Sequence, residues 1–183
     1  ELSPEKFKRE GGPMEILQLW VNLPAKLKFT DPRYQGLQAD AIPVLTLADG
    51  AATLHLVSGA FDGTDGPVAS LTGVFMSWLE IADGASVTLP APRARNVFFY
   101  TVEGTAAVDG KEVPEWHLAE FNGDDDTITV TAKGRLRILF GHADPIGEPV
   151  VAHGPFVMNT AQEINDAIRD YQAGKFDRQP LNL

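Results

Sequence analysis

Polar and apolar residues alternate most cleanly between positions 127 and 140. In Thr127–Ala132 the threonines at 127, 129 and 131 share one face, and Ile128, Val130 and Ala132 share the other. In Arg135–Phe140 two arginines alternate with Leu136, Ile138 and Phe140. A period of two is that of a half-buried strand. A slip of one residue would bury Arg135 and Arg137, so the pairing register is firmly specified. The same reading predicts strands over Val44–Leu47, Thr53–Val57, Val74–Ile81, Ser86–Leu89 and Val97–Val102. Asp49-Gly50, Asp83-Gly84 and Asp109-Gly110 are turn signals, and Gly59–Pro67 is a turn-rich loop. Many short strands joined by glycine turns define an all-β sandwich or barrel.

Two segments depart from this rhythm. Residues 15–21 read as a strand that is apolar on both faces, with Ile16 and Trp20 on one side and Leu17, Leu19 and Val21 on the other. Such a strand expects cover on both sides. Residues 22–43 carry Pro24, Pro32 and Pro43 with little periodicity, which reads as a linker or extended arm. At the other end, Thr160-Ala-Gln-Glu163 fits a capping box that opens a helix. Ile164, Ala167, Ile168 and Tyr171 form its apolar stripe, and Gly174 is placed to end it.

Composition narrows the function classes. A chain of 183 residues, 44% hydrophobic, suits one compact domain with some length to spare. A net charge of −10 with no basic patch argues against direct binding to nucleic acid. With no cysteine there are no disulfides, thiolate metal sites or cysteine nucleophiles, and the expected setting is reducing and cytoplasmic. No apolar run is long enough for a membrane span, and no signal peptide is present. The chain opens Glu1-Leu-Ser-Pro4 without a methionine, which reads as a processed, cut or subcloned start.

Local motifs for chemistry are sparse. The histidines, His55, His117, His142 and His153, include no pair at metal-binding spacing. There is no nucleophile elbow, phosphate loop or dinucleotide fingerprint. His153 is a candidate ligand or general base. The favoured reading is that Gly154-Pro155 turns the chain and Phe156, Val157 and Met158 anchor the final helix. His55 reads as a half-buried or surface strand residue, and His117 and His142 as structural. Arg93 and Arg95 could bind an anion at a barrel mouth, with solvated loop residues the favoured reading. Asp124-Asp125-Asp126 reads as a solvated turn, since a calcium site would need more oxygen ligands.

One long-range spacing stands out. Gly84, Pro90, Pro92, Val97 and Gly104 fall where the first cupin motif has a glycine, two histidines, a glutamate and a second glycine. The glycines remain and the metal ligands do not. Gly123-Asp124 resembles the turn of the second cupin motif, but no histidine lies between His117 and His142.

Several stretches together resemble the pirin family. They are Leu17-Gln-Leu-Trp-Val-Asn-Leu-Pro24, Asp31-Pro-Arg-Tyr-Gln35, Glu148-Pro-Val-Val-Ala-His-Gly-Pro-Phe-Val-Met-Asn-Thr160, and the helix ending Asp170-Tyr171-Gln-Ala-Gly174. The resemblance implies a bicupin, two jelly-roll barrels in tandem, with iron in the N-terminal barrel held by three histidines and a glutamate. By position, Glu1 resembles that glutamate, an orphan ligand whose histidines would all lie upstream. The implied organisation is a trailing segment of the N-terminal cupin at 1–22, a linker at 23–43, a C-terminal cupin barrel at 44–158, and a helix and tail at 159–183.

For the full-length protein the resemblance implies Fe(II) and quercetin 2,3-dioxygenase-type activity. This chain would be its metal-free scaffold half, with no cofactor of its own and no catalytic residue. The alternative is a non-catalytic protein-binding module, a transcriptional co-regulator or metabolic-enzyme partner. The expected partner of residues 15–21 is the missing N-terminal cupin or another copy of the chain.

Overall fold

The computed structural model describes residues 5–176. A short helix, α1 (Glu5–Glu10), precedes an irregular arm that reaches residue 43. The barrel is built from β1 (Val44–Leu47), β2 (Ala52–Ser58), β5 (Phe75–Ile81), β6 (Ser86–Pro90), β7 (Asn96–Val108), β8 (Lys111–Pro114), β9 (Leu118–Phe121) and β10 (Thr127–Ala143). A two-stranded ribbon, β3 (Ala60–Phe61) and β4 (Thr64–Asp65), occupies the loop predicted at 59–67.

The strands hydrogen-bond in the order β1-β2-β5-β10-β7-β8, with β6 added beside β10 and β9 beside β7. All these pairings are antiparallel. The long strands β7 and β10 each serve two layers. The first part of β10 pairs with β6, Ile128 opposite Leu89, and its second part pairs with β5, Ile138 opposite Leu79. Thr127–Ala132 and Arg135–Phe140, predicted as two strands, are therefore one strand. It bends at Gly134 (φ +78°), and the pairing with β7 shifts register between Lys133 and Arg137. A bulge bends a strand without ending it, so the glycine that reads as a break instead carries the strand from one layer to the other.

The core lies between those layers. Leu54 and Leu56 of β2, Leu79 and Ile81 of β5, Leu89 of β6, Phe99 of β7, and Leu136, Ile138 and Phe140 of β10 are buried. Each such side chain contributes about 2 kcal/mol through removal from water. The arginines fall on the outer face, as the alternation requires: Arg135 is exposed and Arg137 half-buried. The architecture is the predicted all-β jelly roll with a C-terminal helix.

That helix, α2 (Ala161–Gln172), packs on the hairpin of β11 (Val151–His153) and β12 (Phe156–Met158). The capping box is complete. The Thr160 hydroxyl accepts from the Glu163 N–H at 3.2 Å, and the Glu163 carboxylate accepts from the Thr160 N–H at 2.8 Å. Gly174 (φ +70°) donates to the Tyr171 carbonyl and Lys175 to that of Asp170, the paired bonds of a Schellman C-cap. The apolar stripe is narrower than its sequence pattern: Ile164 is buried and Ala167 and Ile168 half-buried, but Tyr171 is exposed. Its ring packs against those of Phe156 and Phe176.

The predicted strand at 15–21 does not form. The segment runs irregularly, and Ile16, Leu17, Leu19, Trp20 and Val21 are all exposed. A strand needs a backbone partner, and here the segment meets side chains on the outer face of the sheet. The 22–43 segment is fastened to the barrel. Arg33 donates to the Ala69 carbonyl at 2.6 Å and Gln35 to that of Pro67 at 3.0 Å. Among the described residues no helix is long and apolar enough to cross a membrane.

Candidate functional site

The spacing that runs from Gly84 to Gly104 covers all of β6 and the first part of β7, with the two glycines near the bend of β10 and Pro90 and Val97 at the far ends of their strands. Gly84 (φ +71°) makes the turn between β5 and β6, a conformation that costs an L side chain. Pro90 ends β6 opposite Thr127, and Val97 lies near the start of β7, opposite Phe121 of β9 and His142 of β10. Val97 is 1% exposed and part of the core. Two pyrrolidine rings and an isopropyl group have no lone pair to offer a metal. Among the described residues no three His, Asp or Glu side chains are grouped to share an ion. The donor set of this barrel does not fit iron. Glu1 lies outside the described residues.

The histidines do not converge. His153 is exposed at the tip of the β11–β12 hairpin, next to the turn at Gly154 (φ +55°). His117 Nδ1 lies 2.9 Å from the Glu115 carbonyl. His55 stacks flat on Trp78, ring centroids 3.5 Å apart. Burial lowers its pKa, and nearby Glu80 opposes the shift. His142 is buried, stacked on Phe75 at 4.7 Å, and neither ring nitrogen has a protein partner among the described residues. Burial lowers its pKa to about 4, the Arg95 charge adds to the shift, and Asp144 opposes it.

Arg93 and Arg95 are not free to bind an anion. Arg93 Nε lies 3.3 Å from Asp126 and its Nη2 3.6 Å from Asp125. Arg95 lies 3.0 Å from Asp144 and donates to the Gly73 carbonyl. Arg93 stays exposed, as expected of a solvated loop residue, while Arg95 is largely covered. The carboxylates that claim them come from distant segments, which local sequence does not reveal. The acidic turn is thus partly neutralised by Arg93.

A polar latch joins the arm to the C-terminal hairpin. Glu148 Oε2 accepts from the Ala25 backbone N–H at 2.7 Å and from Asn159 Nδ2 at 2.9 Å. Lys28 donates to Asn22 at 2.6 Å and to the Val157 carbonyl at 3.1 Å. Higher on the sheet, Arg137 grips Glu15 with both terminal nitrogens, at 2.9 and 3.0 Å, and Glu103 with Nε at 2.7 Å. These carboxylates raise the already high pKa of Arg137. The arm is thereby held across the outer face, where Leu17 lines one open groove with Trp78 and Val102, and Trp20 lines another with Met76 and Phe98. Trp20 is still 61% exposed. Sequence reading missed Glu148 and Arg137 as arm anchors, although Glu148 stands inside the most distinctive stretch of the chain.

A jelly roll carrying the glycine frame of a cupin motif is a cupin barrel. Comparison with known proteins identifies its kind. Residues 76–177 match the pirin C-terminal cupin domain, and the chain belongs to the pirin family. It is 38% identical over 175 residues to a pirin-like protein of Caulobacter vibrioides, covering 94% of this chain and 62% of that protein. It is 34% identical over 168 residues to human pirin, covering 89% and 57% respectively. A crystal structure of quercetin 2,3-dioxygenase from Acinetobacter baumannii superposes with a TM-score of 0.82 at 28% identity, over 86% of this chain and 55% of that one. The chain spans about three fifths of the length of the curated relatives it matches.

Proposed function

We propose that this chain is the metal-free, scaffold half of a two-cupin pirin-like protein. In this reading a further cupin unit holds Fe(II) and carries quercetin 2,3-dioxygenase-type activity. Residues 1–22 belong with that unit, 23–43 link the two, 44–158 form the brace and hold the linker through Glu148 and Val157, and 159–183 are a C-terminal helix and tail. The observation that carries the reading is the pairing of two features. The barrel has lost every donor of the cupin motif at Pro90, Pro92 and Val97. It also holds an apolar segment, Ile16 to Val21, exposed on its outer face. A barrel without those ligands holds no metal centre at that motif, while an uncovered apolar segment suits a partner. The relatives' greater length supports a further unit as that partner, and a solved relative named a quercetin 2,3-dioxygenase supports the activity.

The test compares this chain with a form extended through an upstream cupin carrying histidine ligands. Iron content and quercetin turnover are measured for both. Both are expected in the extended form alone. One tightly held iron within residues 44–140, or turnover by the 183-residue chain, overturns the reading. Metal without turnover in the extended form transfers support to the alternative, a protein-binding module whose acidic surface selects a protein partner.

A further inference from the structure

The end of the barrel that lacks metal ligands is not filled. A cavity of about 230 Å³ lies among the β6–β7 loop, the β7–β8 hairpin, β9 and the start of β10. Its walls include Ala91, Val97, Val108, Val113, Phe121 and Ile128, whose side chains carry no heteroatom. Ala91, Val97, Val108 and Ile128 are themselves buried, so the walls belong to the core and not to a surface dimple. This part of the lining accepts hydrocarbon.

The mouth has a different chemistry. Asp109, Glu120, Asp124 and Asp125 line it, with Asn122 and Thr127, against a single cation, Lys111. Asp125 is shared with Arg93 at 3.6 Å, while Asp109 and Asp124 form no ion pair among the described residues. With a chain charge of −10 behind it, this mouth favours a cation over an anion.

We propose that this cavity binds a small organic ammonium compound. An aryl or short alkyl body enters between Val97, Val108 and Ile128, and the charged head stays at the mouth beside Asp109 and Asp124. The proposal is independent of the scaffold reading, because it needs neither iron nor a second barrel.

The test titrates the 183-residue chain with phenethylammonium, and separately with 3-phenylpropionate, at fixed ionic strength. Methyl NMR signals of Val97, Val108, Val113 and Ile128 are followed. Phenethylammonium is expected to shift them saturably with a Kd on the order of 1 mM. The carboxylate, of similar shape, is expected to bind roughly tenfold more weakly. Val113→Phe, which fills the cavity, should abolish the shifts. Asp124→Lys lies in an exposed loop outside the packed wall, so it keeps the test open if Val113→Phe does not fold. It should remove the preference for the ammonium ligand. Absent methyl shifts, equal affinity for the two ligands, or an unchanged preference in Asp124→Lys overturns the proposal.

Discussion

Ala25 and Glu148 stand 123 residues apart in the chain and are joined by one hydrogen bond of 2.7 Å from backbone N–H to carboxylate oxygen. The same oxygen accepts from Asn159, just ahead of the final helix. One carboxylate therefore ties the arm, the C-terminal hairpin and the approach to α2 together. Glu148→Ala leaves two donors without their acceptor. The expected loss is about 1–2 kcal/mol, since the acceptor is charged and the site is partly wet. Urea unfolding measures the loss. Faster protease cleavage within 22–43, with the barrel intact, checks that the damage is local.

His142 sets a pH dependence whose sign can be worked out. Its folded pKa is about 4, against an ordinary value of 6.5 in the unfolded chain. Above pH 6.5 both states hold it neutral and its burial brings no penalty from protonation. As pH falls from 6.5 toward 4 the unfolded chain takes up a proton that the folded chain refuses, so stability is lost through that window and no further below it. The full loss is on the order of 3 kcal/mol. His142→Phe keeps a ring against Phe75 and removes the titration. The difference in stability between wild type and this variant, measured by denaturation at each pH from 7 down to 4 (about the folded value), should change in that direction. A difference that stays constant across the window contradicts it.

The capping box offers a control on the helix. The Glu163 carboxylate accepts from the N–H groups of Asn159 and Thr160, at 3.0 and 2.8 Å, while Thr160 caps the Glu163 N–H. Thr160→Ala is expected to cost about 1 kcal/mol. Thr160→Ser, which keeps the hydroxyl, should recover most of it in thermal unfolding.

These sites differ in how far the sequence exposes them. Wherever a local rule decides the structure, the reading holds. The alternation of Arg135 and Arg137 with Leu136, Ile138 and Phe140 set their faces, because burying a guanidinium is costly. Thr160 and Glu163 set the helix start, and Gly84 the turn into β6. Wherever two distant segments decide it, the reading fails or is silent. The apolar run in 15–21 is genuine, yet a strand also needs a ladder partner, and none is present among the described residues. Arg93 is solvated as read, while Arg95 is largely covered once Asp144 is brought to it. His142 reads as structural, but only the stacking of Phe75 on it shows how deeply it is buried.

The arm itself can be tested. Glu15 holds Arg137 in a two-point ion pair, but the Glu15 side chain is 54% exposed. Exposed pairs contribute roughly 0–1 kcal/mol and weaken with salt. Glu15→Gln should therefore leave global stability almost unchanged. It should still raise protease cleavage between residues 11 and 24, because little else polar fixes that stretch. The effect should shrink at high salt, where the wild-type pair is already screened. A cleavage pattern insensitive to both changes means that apolar contacts with Trp78 and Met76 hold the arm alone.

The glycines of the cupin motif outlast its ligands because the backbone needs them. Gly104 has φ +82°, and a Cβ there would sit 2.2 Å from the Arg135 carbonyl oxygen of the neighbouring strand. That oxygen belongs to the bulged part of β10, whose bend carries the strand between layers, so it cannot move away cheaply. Gly110, in the β7–β8 hairpin, has a similar φ of +74° but nothing within 4 Å of the same hypothetical atom. Gly110→Ala should cost only the left-handed backbone strain, about 1 kcal/mol. Gly104→Ala carries the same strain plus a clash of Cβ with main chain, and should cost about 3 kcal/mol or more. Chemical denaturation of the two variants measures the difference. Equal losses would mean that the β7–β10 contact yields easily, and the bulge would then not be what bends the sheet into a barrel.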